Sequence, residues 1–501
     1  MTAMNWPVLY PEIWLLAMAC VVLLADLFVT GAERSTTFWL TQFTVGVFAA
    51  LHLVYFDAGA TAYGMKGLVV VDPMGHLLAF FAALAVMVTL AYARPTLAAR
   101  DMMKGEFYTL TLFVLLGISV MCSANHFLVV YLGLELMSLS LYALTALRRD
   151  HAVATEAAMK YFVLGALASG FLLYGLSMMY GATGSLEIPR VFEQIATGRI
   201  NNEVLVFGLV FVVAGLAFKL GAAPFHMWVP DVYQGAPTAV TLLIGGAPKF
   251  AAFAITIRLL VEGMLGLAVD WQQMFIVLAV ASLALGNIAA IAQRNLKRML
   301  AYSTIAQMGF VVLGLSAGVV SGNTLSAGNA YSSAMFYIVS YVFTTLGTFG
   351  LIMYLSRQGF ESEEIDDLAG LSQRSPMGGR RDDGVHVLAG RRAADDRLLR
   401  QALGDPGAGQ HQCHALHRAG RGGGAVQPGR RFLLPARGQG DVVRRAGADR
   451  ADRALPGRGC AAGRQRAGGA GAGPVLRRAD GDVPRRHRAR AGHLTRPGPD
   501  G

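Results

Sequence analysis

Eleven long apolar stretches limit what this chain can fold into more than any other feature of its sequence. A transmembrane helix needs about 20 mostly apolar residues. Stretches of this kind cover residues 8–30, 36–56, 71–93, 107–123, 126–147, 155–180, 203–223, 240–262, 272–292, 299–318 and 331–356. Of the 501 residues 54% are hydrophobic and only 15% are charged, which is too apolar for a soluble globular protein. The sequence therefore predicts an all-α, polytopic membrane protein in a lipid bilayer.

Basic residues in the loops predict how these helices are oriented. The loops after odd-numbered stretches contain Arg34, Arg94, Arg100, Lys104, Arg148, Arg149, Arg294, Lys297, Arg298 and Arg357. The loops on the opposite side contain only Lys66, Arg190 and Arg199. Because loops rich in Lys and Arg stay in the cytoplasm, we expect the N-terminus on the other side of the membrane.

The composition changes abruptly at Met377. Residues 1–376 contain 18 Lys+Arg and 21 Asp+Glu, a net charge of −3, whereas residues 377–501 contain 25 Arg and 11 Asp, a net charge of +14. The basic character belongs to this tail alone, so it does not indicate nucleic-acid binding by the protein. The tail is rich in Arg, Gly, Ala and Pro, as in RAGRGGGAVQPGRR. Two interpretations are open: a disordered basic tail, or a GC-rich gene translated out of frame.

The genetic code allows the second interpretation to be tested from the protein itself. When the codons are read one nucleotide later, residues 382–403 can spell MMVFMFSLAGVPPTIGFYAKLS, a hydrophobic helix with a proline break. The shifted codon that overlaps Gln401 and Ala402 must encode Lys or Arg. Residues 430–441 can likewise spell GAFYYLRVVKVM. These stretches favour a frameshift near Met377, so we predict a transmembrane domain over 1–376 and an out-of-frame tail without packed structure over 377–501.

Four ionisable residues lie inside the apolar stretches. They are Glu135 in YLGLELMSLSLYAL, Lys160 in EAAMKYFVLGALASG, Lys219 in VVAGLAFKLGAAPF and Lys249 in LLIGGAPKFAAF. Such a residue at the centre of a membrane helix costs at least ~2.5 to 3.5 kcal/mol, so each needs an explanation. Buried ion pairs that only fix helix packing are one explanation, and Lys160, near a helix end, could reach the interface. Three amines and one carboxylate together are typical of a proton relay.

The seventh stretch is predicted to contain a discontinuous helix. The segment GAAPFHMWVPDVYQGAP places Gly221, Pro224, Pro230 and Pro237 inside or beside it. Non-helical backbone at membrane depth is tolerated where it is buried in protein or lines a water-filled cavity, and transporters use such breaks at ion sites. His226 lies in the break and is either a relay group or a packed polar residue. Trp228 is expected to be an anchor at the membrane interface.

Four segments resemble a known family of proton-pumping membrane proteins. GLELMSLSLYALTALRRD, PFHMWVPDVYQGAPTAVTLLIGGAPKFAAF, RMLAYSTIAQMGF and DLAGLSQRSP are similar to subunit N of bacterial NADH:quinone oxidoreductase, respiratory complex I. The resemblance covers residues 1 to about 376. It implies an antiporter-like fold of fourteen helices, with two inverted five-helix repeats that each contain one broken helix; about eleven of the fourteen are present here.

The resemblance also implies a role for named residues. The family's proton path uses a glutamate and lysines at the positions of Glu135, Lys160, Lys219 and Lys249, and a further lysine in a sequence like GIPPTVGFYAKL. That lysine is missing here, although the shifted reading supplies GVPPTIGFYAKL over Gln401 and Ala402. We expect a multi-pass protein of the bacterial inner membrane with a periplasmic N-terminus, in a hetero-oligomer with the other membrane-arm subunits.

No redox chemistry is expected in this chain. Its four cysteines form no CxxC pair and no His/Cys cluster, and the sequence contains no dinucleotide-binding loop. Any FMN, Fe–S clusters and NADH would be held by other subunits, and no metal or cofactor is expected here. A stand-alone cation/proton antiporter is the alternative function, and a membrane scaffold without transport is a third.

Overall fold

The computed structural model describes residues 4–31, 33–100, 102–198, 201–319, 323–356 and 363–365. Within them, eleven helical segments are long and apolar enough to cross a membrane, which confirms the predicted spans. The spans are Trp6–Asp26, Ser35–Ala58, Pro73–Ala98, Gly105–Cys122, Phe127–Thr145, Ala152–Thr183, Asn202–Leu220, Thr238–Gly263, Leu265–Ile291, Leu296–Leu315 and Ala327–Leu355. The tail over 377–501 lies outside the described residues.

These spans are built from fourteen α-helices and a two-stranded hairpin in the described residues. The helices are α1 Tyr10–Asp26, α2 Ser35–Ala58, α3 Pro73–Ala98, α4 Gly105–Cys122, α5 Phe127–Thr145, α6 Ala152–Thr183, α7 Ile188–Thr197, α8 Asn202–Leu220, α9 Trp228–Gly235, α10 Thr238–Gly245, α11 Pro248–Thr256, α12 Ala268–Ile291, α13 Leu296–Leu315 and α14 Ala327–Leu355. The antiparallel strands are β1 Ala62–Gly64 and β2 Val69–Val71.

The eighth span occupies the centre of the bundle. Residues 238–260 are all buried, and α11 packs against α3, α4, α8 and α14. A helix that is apolar on every side needs such surroundings. Groups on this span are therefore shielded by protein on every side.

The eighth span is broken, contrary to the predicted continuous helix over 240–262. α10 ends at Gly245, Gly246 adopts φ −102° and ψ −102°, and α11 begins at Pro248. Proline at the first position of a helix costs no hydrogen bond, whereas its ring prevents α10 from continuing. After α11 the chain continues as a π-helical segment, Ile257–Gly263.

Small residues bring neighbouring spans into close contact. A Cβ atom placed on Gly117 of α4 would lie 2.7 Å from the Gly133 oxygen and 2.7 Å from the Met137 nitrogen of α5. Only glycine allows the two backbones to approach this closely. This contact fixes the position of α5, which carries Glu135, against α4.

Candidate proton-conducting site

The predicted break at the seventh span is present and begins directly after Lys219. α8 ends at Leu220, Gly221 adopts a left-handed conformation with φ +82°, and α9 begins at Trp228. The peptide bond between Ala223 and Pro224 is cis. A positive φ is the conformation that glycine adopts without strain. The break therefore places the last turn of α8 beside the interrupted eighth span.

Lys249 joins the two breaks. It is the second residue of α11 and is 1% exposed. Its Nζ donates a hydrogen bond to the Leu220 carbonyl at the end of α8, at 3.0 Å, and lies 5.6 Å from the ring centre of Trp228. The carbonyls of a last helical turn lack partners within the helix and carry partial negative charge. A lysine from a different span therefore caps α8.

Lys219 is held by hydroxyl groups of two neighbouring helices. Its Nζ donates to Ser138 Oγ of α5 at 2.9 Å and contacts Ser169 Oγ of α6 at 3.4 Å. Ser138 follows Glu135 by one helical turn, so both side chains lie on one face of α5. Glu135 is within electrostatic range of Lys219, and its Oε1 is buried without a hydrogen-bond partner in the described part of the chain. An amine and a carboxylate thus face each other across α5 and α8.

Lys219 and Lys249 line the same internal cavity. The space open to the centre of a water molecule is ≈ 20 Å³, which is enough for about one water. Its polar walls are Lys219, Lys249 and Ser138, and apolar residues such as Leu134 and Ile255 form much of the remainder. The cavity therefore has room for about one water molecule, within walls that include both lysines.

Lys160 occupies a different environment from the other two lysines. Its side chain is 44% exposed and forms ion pairs of 2.8 Å with Glu156 and with Asp231 of α9. Asp231 also binds Arg298 of α13 at 2.7 Å. Lys160 is therefore partly exposed in this chain, as the alternative of a lysine near a helix end allows. It belongs to a charged cluster with Asp231 and Arg298.

His226 lies in the non-helical segment between α8 and α9, and Trp228 is the first residue of α9. His226 is half-buried in the non-helical segment and does not line the cavity shared by the lysines. Burial lowers the pKa of His226, and a backbone hydrogen bond at Pro224 opposes that shift. Trp228 is 3% exposed and stacks on Tyr161 at 4.7 Å. The expectation that Trp228 anchors the chain at the membrane interface is wrong, because its ring forms a wall of the cavity.

Several buried charged and polar groups were not singled out from the sequence. Arg258 on the eighth span is 2% exposed and forms ion pairs with Asp72 at 2.8 Å and with Glu262 at 2.7 Å. Glu12, His52 and His76 are also buried, within stretches that had been predicted as spans. The signal that identified Glu135, an ionisable residue inside an apolar stretch, also applies to these residues. Within the described ranges, no group of three or more His, Cys, Asp or Glu side chains is arranged to hold a metal ion.

Comparison with known proteins identifies the family. Residues 124–378 match the family model described as NADH:quinone oxidoreductase/Mrp antiporter, TM. NADH-quinone oxidoreductase subunit N of Polaromonas naphthalenivorans (strain CJ2) is 63% identical over 375 residues, which are 75% of this chain and 75% of that protein. The subunit N of Herminiimonas arsenicoxydans is 63% identical over 380 residues, which are 75% of this chain and 77% of that protein.

Solved structures agree with this assignment. A chain of respiratory complex I from Thermus thermophilus with bound aureothin has a TM-score of 0.62 and 30% identity, and the match covers 85% of each chain. A chain of the Mrp complex from Dietzia sp. DQ12-45-1b has a TM-score of 0.70 at 20% identity, covering 85% of this chain and 78% of that one, and supports the antiporter-like fold alone. The chain belongs to the family of NADH-quinone oxidoreductase N subunits, antiporter-like membrane components of respiratory complex I.

Proposed function

We propose that this chain translocates protons across the bacterial inner membrane, as a membrane-arm subunit of an NADH:quinone oxidoreductase. The observation that carries the proposal is the water-sized cavity that Lys219 and Lys249 share at two adjoining helix breaks. Amines in such a site take up and release protons when neighbouring charges change. Transporters place their ion sites at breaks of this kind.

The proposed path runs through three groups of side chains. The Lys160–Asp231 cluster collects protons at the surface of the chain, where Lys160 is accessible. Lys219, held by Ser138 beside Glu135, receives them next. Lys249 follows across the cavity. His226 is proposed as an accessory group near the break, because the ordinary pKa of an imidazole lies closer to neutral pH than that of a lysine amine.

The rest of the reaction is assigned to partner subunits. NADH oxidation, electron transfer through FMN and Fe–S clusters, and quinone reduction take place in other chains of the hetero-oligomer, and this chain moves protons in response. The names of its relatives, which are subunits of an NADH-quinone oxidoreductase, support membership of a multi-subunit complex.

The proposed orientation places the N-terminus in the periplasm. Arg34, which follows the first span, binds the Met103 carbonyl at 3.2 Å, close to Lys104 after the third span. Arg94, also near the end of the third span, contacts Ser35 at 2.6 Å. The basic loops after the first and third spans therefore meet on one side, which the positive-inside rule assigns to the cytoplasm.

We also propose that residues 1–376 form the transmembrane domain and that 377–501 are translated out of frame. The family match ends at residue 378, and the aligned part covers only about three quarters of both this chain and its relatives. Resequencing the gene across the codons for Met377 and Gly378 tests this proposal. We expect one nucleotide gained or lost there. An unchanged frame, with the tail peptides observed by mass spectrometry, would refute it.

The proposed pumping is tested by alanine substitution in the assembled complex. Lys219→Ala and Glu135→Ala should each reduce NADH-driven proton pumping in membrane vesicles, because each removes a proton-binding group from the site. Lys104→Ala, which removes an exposed loop lysine, is the matched control and should pump normally. Unchanged pumping in both site variants would rule out the proposed role.

The alternative, a stand-alone cation/proton antiporter, is favoured by the family model, whose description includes Mrp antiporters. It requires exchange activity from the isolated chain. Proton flux driven by a Na⁺ or K⁺ gradient in vesicles that contain only this protein would support the antiporter, and its absence would favour the complex I subunit.

A further inference from the structure

Spans one to four enclose a second set of polar groups, which the proposed path does not use. Glu12 on α1, His52 on α2, His76 on α3 and Ser119 on α4 are 7%, 3%, 3% and 1% exposed. Each helix contributes one side chain. Glu12 and His76 closely follow the starts of α1 and α3, and His52 and Ser119 closely precede the ends of α2 and α4. All four groups therefore lie near helix ends on the side of the N-terminus.

The four side chains form a continuous chain of contacts. Ser119 Oγ lies 2.7 Å from Glu12 Oε1 and 3.5 Å from His52 Nε2. His52 Nδ1 lies 2.9 Å from His76 Nδ1. Phe48 packs edge-on against His52 with ring centres 4.4 Å apart, and Tyr55 stacks on His76 at 5.4 Å. The two imidazoles are therefore held in place by aromatic rings.

When Glu12 is ionised, the hydrogen bonds along these four side chains are all donated in one direction. A carboxylate only accepts, so the Ser119 hydroxyl donates to Glu12. The Ser119 oxygen then accepts from the N–H at Nε2 of His52, which leaves Nδ1 of His52 as an acceptor. Since one of two facing imidazole nitrogens must carry hydrogen, Nδ1 of His76 is the donor. Every hydrogen bond in this series of side chains is thus donated toward Glu12.

A proton can pass along this chain without leaving an unbalanced charge. When His76 is an imidazolium, its Nδ1 proton moves to Nδ1 of His52, the Nε2 proton of His52 moves to Ser119, and the hydroxyl proton of Ser119 moves to Glu12. One imidazolium and one carboxylate become a neutral imidazole and a neutral carboxylic acid. Each bond that breaks is matched by one that forms, and rotation of the hydroxyl and imidazole groups resets the chain.

At one end of this series, His76 lies one helical turn after Asp72, which is paired with the central eighth span. Asp72 begins the helix that carries His76, and its side chain is 17% exposed. Arg258 binds both oxygens of Asp72 at 2.8 Å and lies on the same span as Lys249. At the other end, Glu12 Oε2 is buried and has no hydrogen-bond partner among the described residues. The other titratable groups facing these side chains are Tyr10, Tyr55, Asp72, Cys122 and Arg258.

We propose that Glu12, Ser119, His52 and His76 form a proton relay between the first span and the Asp72–Arg258 pair, which joins α3 to the central span. This deepens the proposed proton translocation and rests on it. A purely structural role would not require this arrangement, because a buried carboxylate without a paired cation is costly and is readily replaced by an apolar side chain. A relay needs a carboxylate that gains and loses a proton together with the imidazoles.

Hydrogen–deuterium exchange at Glu12 tests the relay directly. The full chain is reconstituted in lipid nanodiscs at a pH where Glu12 is protonated, and its carboxyl band is assigned by infrared spectroscopy from its loss in Glu12→Gln. After transfer to D₂O, the band should shift quickly in the wild type. In Ser119→Ala the shift should slow by about a hundredfold, the usual effect of losing a positioned proton-transfer group.

A second relay variant and a matched control separate this effect from altered folding. His52→Gln, which interrupts the relay on another helix, should also slow the exchange. Thr111→Ala removes a buried hydroxyl of α4 that bonds only to Phe107 of its own helix at 2.7 Å, and should exchange as the wild type does. Wild-type exchange in both Ser119→Ala and His52→Gln would overturn the relay.

Pumping by the assembled complex then tests the relay's place in translocation. Ser119→Ala should lower NADH-driven pumping relative to Thr111→Ala. If Ser119→Ala pumps normally while Lys219→Ala does not, this part of the inference is refuted and the proposed function stands. If Lys219→Ala and Glu135→Ala also pump normally, the proposed function itself fails, whereas the exchange result is unaffected.

Discussion

At the scale of single residues, two buried lysines serve as caps for interrupted helices. Lys249 donates to Leu220 at the end of α8, and Lys297 donates to Ala236 after α9, both at 3.0 Å. The two lysines differ in how their positive charge is balanced. Lys297 also forms an ion pair with Glu363 at 2.7 Å, whereas the Lys249 ammonium is held by a carbonyl and an aromatic ring. A buried cation held by a carbonyl and an aromatic ring is expected at a site that exchanges protons.

Lys249→Met tests whether this lysine is present for function rather than stability. Losing the cap costs about 1–3 kcal/mol, but burying an ion costs several kcal/mol, so the substitution should raise the thermal unfolding midpoint while it abolishes pumping. Lys160→Met removes a partly exposed ion pair worth about 0–1 kcal/mol and should change the midpoint little. A large fall in the midpoint of Lys249→Met would indicate a structural role.

His226 should make the fold sensitive to acid. Burial lowers the pKa of His226 below its ordinary value of 6.5, so the unfolded chain binds a proton there more readily than the folded chain does. The free energy of unfolding should therefore fall as the pH falls below about 6.5. His226→Gln should lose this part of the pH dependence in thermal unfolding between neutral pH and pH 5. Identical slopes for the two proteins would contradict the assignment.

At the scale of elements, the contact between α4 and α5 holds the site's glutamate in position. Gly117→Ala should lower the unfolding midpoint and reduce pumping, because its methyl group would lie 2.7 Å from backbone atoms of α5. Gly170→Ala in α6 is the matched control, since nothing lies within 4 Å of its added methyl group. That variant should gain about 0.5–1 kcal/mol from better helix propensity. Equal behaviour of the two variants would show that the close contact is unimportant.

The spans and helix breaks that could be predicted from the sequence are those marked by apolar length and by prolines. Apolar length specifies a membrane span, so all eleven spans were found, and the prolines around Pro224 indicated the seventh-span break. The break at Gly246 was missed because glycine and alanine keep the segment apolar, although Pro248 was a usable signal. The hairpin over 62–71 is too short to stand out.

Pairing between distant residues could not be predicted in the same way. Glu135, Lys219 and Lys249 were identified as buried charges, but the cavity shared by the two lysines depends on how two broken helices meet. For Lys160 the sequence left burial and a position near the interface open, because apolar length does not tell which face of a helix is covered. The contacts of His52 with His76 and Ser119 join three helices, and no local pattern encodes them.

At the scale of the whole molecule, the described spans place two polar systems on either side of a buried central helix. One contains Lys219 and Lys249, and the other runs from Glu12 to Arg258. The central span contributes Lys249 to the first and Arg258 to the second. Proton movement in the first system changes the charge on Lys249, and proton movement in the second changes the charge near the Asp72–Arg258 pair, which provides a physical route for coupling through the helix that they share.

The central claim is that Lys219 and Lys249 act in series on one proton path, and a double-mutant cycle on NADH-driven pumping tests it most directly. Lys219→Ala, Lys249→Ala and the double variant are compared in the assembled complex, with pumping normalised to NADH oxidation. The effects of substituting residues that act as one unit are strongly non-additive. The double variant should therefore pump no less than the more impaired of the two single variants. Losses that multiply, or single variants that pump normally, would contradict the account.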